Sequence, residues 1–242
     1  MSANAVSLAG LLLGSAAALC FYHWRSPAAV VSGLLLAIAW MIADGLDGMV
    51  ARATATASAF GRMMDGLCDH GVFILLYAAL AWSVGTSEGW GLAIAAGVAH
   101  AVQASLYEGE RARYHRRVKG VAATSAPAGQ NALVRLYDMV AGSLDRAGAP
   151  LEALLRTSDA EAAAAQYGAR SAGPMRLMAL LTANVRVWIM TLACLAGRPE
   201  LFWWAVLIPL SLIAAAAIIW HRIVERKIVR LFHSGTAALG KV

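Results

Sequence analysis

Charge is scarce in this chain. Only 14% of its 242 residues are Asp, Glu, Lys or Arg, where a soluble domain carries about 25%. Cysteine is scarce too: Cys20, Cys68 and Cys194 are the three, all inside apolar segments. That excludes a disulfide scaffold, and no CxxC or Cys/His metal spacing occurs; the three read as small buried hydrophobes. Basic stripes with interleaved aromatics are missing, which argues against a nucleic-acid partner. What is abundant is apolar. Hydrophobic residues make up 60% of the chain and mean hydropathy is +0.63, which excludes a soluble enzyme and a disordered chain.

The apolar residues fall into six runs, about Ala5–Tyr22, Ala28–Ala51, Phe60–Val84, Trp90–Tyr107, Pro174–Ala196 and Leu201–Trp220. A membrane-crossing helix needs roughly 20 such residues. The expected fold is therefore all-α: a polytopic integral membrane protein of six transmembrane helices, forming one membrane domain over residues 1–242. The first run has no basic stretch before it and reads as a retained span rather than a cleaved signal. Turns are expected at His23–Pro27, Gly85–Gly89 and Gly197–Pro199, and Pro174 suits the first turn of the fifth helix. No internal repeat is visible.

Charge orients the chain. With the N-terminus in the cytoplasm, the outside turns hold only Arg25 and Arg198, and Arg186 lies within the fifth run; the other 17 of the 20 Lys and Arg fall on the cytoplasmic side. The reverse orientation would break the positive-inside rule. Both termini are thus expected inside, with a cytoplasmic helical insertion at about 111–173 between spans four and five. Its basic opening, Arg111 to Lys119, reads as a juxtamembrane end meeting anionic headgroups. Leu133, Leu136, Tyr137, Val140 and Leu144 fall at helical spacing, predicting a short amphipathic helix. Ser158 to Glu161 has capping-box form, predicting the start of a second.

The chemistry concentrates in one stretch. Asp44 and Asp47 are spaced i, i+3 near the end of span two; Asp65 and Asp69 are spaced i, i+4 near the start of span three. Each pair shares a helix face, and the short connection makes the two helices antiparallel neighbours, so the four carboxylates can converge. Ionised carboxylates in a membrane domain cost several kcal/mol each and persist only with compensation. An all-oxygen set suits Mg²⁺, Mn²⁺ or Ca²⁺ rather than Zn²⁺. Gly48 and Gly61 leave room for a ligand to approach the backbone, or serve close helix packing; Arg52 can pair with a phosphate or with an aspartate.

The spacing D-x2-D-G-x2-A-R-x8-G-x3-D-x3-D resembles that of the CDP-alcohol phosphotransferase (CDP-alcohol phosphatidyltransferase) family, class I. Asp44, Asp47, Gly48, Ala51, Arg52, Gly61, Asp65 and Asp69 meet every fixed position. The resemblance implies a membrane transferase of phospholipid biosynthesis. It would move a phosphatidyl or substituted phosphate group from a CDP-linked donor to an acceptor hydroxyl and release CMP. It further implies one or two Mg²⁺ or Mn²⁺ ions on Asp44, Asp47, Asp65 and Asp69, with Asp69 as the general base, and Gly48, Ala51, Arg52 and Gly61 at the donor. CDP-diacylglycerol and a small polar alcohol are the expected substrates. Transfer of phosphocholine or phosphoethanolamine to a lipid alcohol is the alternative. A cation-coupled transporter is a distant third, since transporters show repeats and midplane sites. A homodimer is among the expected assemblies, and the expected location is a bacterial cytoplasmic (inner) membrane with the active site facing the cytoplasm.

The acceptor is less legible. Arg186, beside Asn184 in span five, reads either as an anion site for a lipid or acceptor phosphate or as a structural partner. Glu108 and Arg111, where span four ends, can meet acceptor groups or pair with each other. His70 and His100 read as packed histidines rather than ligands.

Overall fold

The computed structural model describes the backbone of residues 3–53, 59–122 and 148–239; within it, the side chains of residues 3–4, 47–48, 50–53, 59–69 and 234–239 lie outside the description. The described residues are helical and contain no strand. In chain order the helices are α1 (Ala3–Tyr22), α2 (Pro27–Ala53), α3 (Ala59–Val84), α4 (Ser87–Val118), α5 (Ala160–Met178), α6 (Ala183–Leu195), α7 (Glu200–Ala205) and α8 (Ser211–Leu239). A helical stretch at 148–154 precedes α5. The amphipathic helix expected around Leu133 to Leu144 lies outside the described residues.

Among the described residues, four segments are long and apolar enough to cross a membrane: Ala5–Tyr22, Pro27–Leu46, Ser87–Val118 and Glu200–His233. A fifth is the pair Ala160–Leu181 and Ala183–Leu195, bent by 45°. Of the third expected span, His70–Val84 qualifies as a shorter apolar helix. Side-chain distribution agrees with lipid surroundings. Large apolar groups such as Leu12, Leu19, Leu35, Ile74, Ile94 and Leu212 face outward, while Ala17, Ala37, Ala81, Ala93 and Ala96 are buried. Small residues inside let membrane helices approach closely.

One expectation about the fifth span is corrected, and the structure adds a bend to it. Pro174 does not start a helix; it lies inside α5, buried. Proline costs a helix one hydrogen bond, and here burial of α5 against α8 outweighs that loss. The span is also not straight. Thr182 adopts an extended conformation (ψ 161°) between the 3₁₀ turn Ala179–Leu181 and α6, which makes the 45° bend. The helix expected at Ser158–Glu161 does begin there, with Asp159 as N-cap, but without a side-chain capping bond. Pro209 lies in a π-helical turn, Val206–Leu210, between α7 and α8.

The chain divides into two compact units, residues 1–100 with 183–209, and residues 101–182 with 210–242. In the first, α1 packs against both α2 and α3. Glycine makes this possible: a β-carbon on Gly14 would come within 2.4 Å of Val72, and one on Gly33 within 3.1 Å of Cys20 and Phe21. In the second, α5 packs on α8. Leu151, Leu154, Leu155, Ala163, Ala164, Tyr167, Val224 and Ile228 form a buried core there.

Candidate functional site

In the first unit, α2 carries Asp44 and Asp47, and α3 carries Asp65 and Asp69. Asp44 is half-buried. The side chains of Asp47, Asp65 and Asp69, and those at Gly48, Ala51, Arg52 and Gly61, lie outside the described residues. One turn from the carboxylate pairs the two helices touch. Trp40, one turn before Asp44, meets Phe73, one turn after Asp69, edge to face at 5.3 Å. Phe73 in turn meets His100 of α4 at 4.3 Å. Trp40 is 3% exposed and has Gly10 of α1 beside it. The motif thus stands on a packed aromatic layer. The four fixed carboxylates of the motif make an all-oxygen donor set that fits a hard divalent cation such as Mg²⁺ or Mn²⁺.

Arg186 of α6 belongs to the same unit and is fully buried. It is close enough to Tyr77 and His100 to interact with both electrostatically. His100 packs against Phe73 and Tyr77, as expected of a structural histidine. His70 is exposed.

In the second unit, Glu108 and Arg111 pair with each other at 3.5 Å, both more than half exposed. Glu110, two residues from Glu108, is fully buried and begins a charge network the sequence reading missed. Its Oε1 accepts from Arg113 at 2.9 Å and from Arg222. Its Oε2 contacts His221 Nδ1 at 2.7 Å, and His221 Nε2 meets the Tyr167 hydroxyl at 2.9 Å. Glu225 accepts from Arg222 at 2.6 Å and from Arg117. Arg117 Nε also donates to Glu152 at 2.7 Å, which Arg116 grips with two nitrogens at 2.7 and 2.8 Å. The signal was present: Glu110, Arg113 and Arg117 share one face of α4, and His221, Arg222 and Glu225 fall within one turn of α8.

The network fixes a helix direction. Gln103 bonds Ser211, Glu110 meets His221 and Arg222, and Arg117 meets Glu225. Both chains ascend together, so α4 and α8 run parallel.

Glu110, His221 and Glu225 offer ligand atoms within 4.8 Å of one another, a spacing that could hold a metal ion. The electrostatics oppose it. All four oxygens of the two glutamates already engage a guanidinium or imidazole nitrogen. A cation there would also face Arg113, Arg117 and Arg222. The group is a charge-satisfied cross-brace.

These features define a helical membrane protein whose one concentrated carboxylate motif is shared by two touching helices. The family model for CDP-alcohol phosphatidyltransferase matches residues 1–129, all eight motif positions included, and the chain belongs to that family. Transfer of a phosphate-alcohol group from a CDP-alcohol is its class of activity. No curated protein and no solved structure matches the chain.

Proposed function

We propose that the protein transfers a phosphatidyl group from CDP-diacylglycerol to the hydroxyl of a small polar alcohol, releasing CMP. The observation that supports this reading is the complete eight-position motif, from Asp44 to Asp69, carried by α2 and α3 within the family-matched region.

Asp44, Asp47 and Asp65 hold the divalent cation, with Asp69 sharing in it. Bound there, Mg²⁺ or Mn²⁺ supplies charge neutralisation for a pyrophosphate. Gly48, Ala51 and Gly61 leave the helix surfaces open to the CDP group, and Arg52 pairs with its phosphate. Asp69 accepts the proton of the attacking hydroxyl, a role typically contributing about 10²–10⁴-fold. Arg186, buried in the same unit, provides positive charge for a lipid or acceptor phosphate. The Glu108–Arg111 pair is a lesser candidate for acceptor contact. In this reading the chain crosses a bacterial inner membrane six times, with the chemistry at its cytoplasmic face. The parallel course of α4 and α8 supports that count, since it calls for an odd number of crossings between them, met by one bent span.

The test is incubation of purified protein with Mn²⁺, CDP-diacylglycerol and a panel of polar alcohols, with CMP release as readout. Release that depends on an alcohol is expected. Release only with CDP-choline or CDP-ethanolamine and diacylglycerol would replace this donor assignment with the headgroup-donor one. Orientation is tested separately. Ser158→Cys should stay unlabelled by an impermeant thiol reagent in intact cells; ready labelling would reverse the topology.

A further inference from the structure

The last apolar segment outruns the membrane. Glu200–His233 is 34 residues long, about 51 Å at 1.5 Å per residue, against a hydrocarbon core of about 30 Å. The apolar run ends at Trp220, which is 45% exposed and is a residue type that settles at the bilayer interface. Beyond it α8 presents a mixed face. Ile223 and Leu231 are exposed apolar groups, and Arg226, Lys227 and Arg230 are exposed between them. The one acidic residue from His221 to Leu239 is Glu225, which is 2% exposed and engaged by Arg117 and Arg222. The exposed charged side chains that α8 itself places on this face are therefore basic.

The same face lines a groove. Pro150, Leu151 and Val229 give it apolar walls, and Arg226 and Arg230, one turn apart, stand at it with Glu225. Arg226 lies six residues past Trp220, about 9 Å along the axis; the headgroup layer extends about 5–8 Å beyond the hydrocarbon. Helical side chains lean toward the helix N-terminus, which for α8 is the membrane side. Arginine also snorkels, laying its stem on apolar surface and its head in the polar layer. Arg226 and Lys227 thus reach phosphate level. Arg230, one turn further, stays within about a Debye length of 8 Å of them at physiological salt.

We propose that this groove is a binding site for the phosphate of an anionic phospholipid headgroup, held by Arg226 with Lys227 and Arg230 adding charge, against the apolar wall of Leu151 and Val229. The site is separate from the aspartate motif and does not depend on the transferase assignment.

The test is native mass spectrometry of the full-length, delipidated protein titrated with phosphatidylglycerol, phosphatidylcholine or glycerol 1-phosphate. One basic residue near an anionic surface is worth about fivefold in binding. Arg226→Ala/Lys227→Ala should therefore weaken the tightest phosphatidylglycerol adduct by about 30-fold, and Arg226→Lys/Arg230→Lys should keep it within a few-fold. Phosphatidylcholine adducts should not respond to either variant. CMP release, measured on the same samples, should be unchanged; its complete absence in the wild type would count against the transferase reading and leave this one standing. Equal phosphatidylglycerol binding by wild type and alanine variant would overturn the proposal. So would glycerol 1-phosphate binding as tightly as the lipid, which would make free phosphate the ligand.

Discussion

The two compact units differ in how their charges are balanced. From Asp44 to Asp69 the sequence places four aspartates against two arginines, Arg52 and Arg62, a surplus of two negative charges. In the other unit Glu110, Glu152 and Glu225 are met by Arg113, Arg116, Arg117 and Arg222, a surplus of one positive charge. A deficit of two is what one divalent cation restores. A network already satisfied by its own side chains has no use for an ion. On the proposed reading, the acidic residues of this protein divide by what compensates them: a ligand in one case, the chain in the other.

The strongest way to break this contrast is at the aspartates. Asp44→Ala and Asp65→Ala should abolish transfer and weaken metal-dependent donor binding, with thermal unfolding unchanged or raised because repelling charges are removed. Asp69→Asn should retain donor affinity by calorimetry while CMP release falls about 10²–10⁴-fold. A melting transition that collapses in all three would make the motif a structural device and erase the difference between the units.

Next in size is the network. Glu225→Leu leaves Arg117 and Arg222 short of a buried partner, and breaking such a pair costs about 3–5 kcal/mol. A large loss of stability is expected in thermal unfolding, with metal-dependent donor binding by the folded fraction retained. An undiminished transition would show that the brace carries no weight.

Packing comes third and sharpens the comparison by touching both units equally. A β-carbon at Gly14 would approach Val72 to 2.4 Å, and one at Gly148 would approach Arg117 to 2.5 Å. Each alanine substitution should destabilise by about 1–3 kcal/mol, read as a shift in unfolding. Gly148→Ala should cost the less if Arg117 can swing aside, and equal losses would mean that the network holds Arg117 as firmly as a core valine.

The smallest effect is expected at the surface. Glu108 and Arg111 are 3.5 Å apart and more than half exposed. Glu108→Ala should change stability by no more than about 0.5 kcal/mol. A loss comparable with that at Glu225 would refute the distinction between the two glutamates of α4.

Much of the architecture was legible because membrane spans announce themselves by length and hydropathy, and the turns at His23 and Gly197 by their residues. The motif was legible because its spacing is local: Asp44 to Asp69 is one short sequence window. What escaped depends on distant partners. Pro174 reads as a helix start by local preference, yet tertiary contact between α5 and α8 keeps it in a helix interior. Glu110 and Glu108 are chemically identical and two residues apart; one is fully buried, the other exposed. Only the face that α8 covers distinguishes them, and nothing in the neighbouring sequence says which face that is. The bend at Thr182 was likewise hidden within an apolar run that hydropathy treats as continuous.

The parallel pairing of α4 with α8 has a consequence for how the protein is made. Arg117 and Glu225 are 108 residues apart, and Glu110 and Arg222 are 112 apart. At about 5–20 residues per second, roughly 5–20 s of synthesis separate the birth of one half of the brace from the other. Throughout that interval Glu110 and Arg117 wait without their α8 partners. The brace closes only when α8 has emerged, so it certifies that the later half of the chain has arrived. A ribosome that stalls before α8 leaves a nascent chain in which Glu110 has only Arg113 of its own helix and Arg117 only Glu152, the brace open on the side α8 would close.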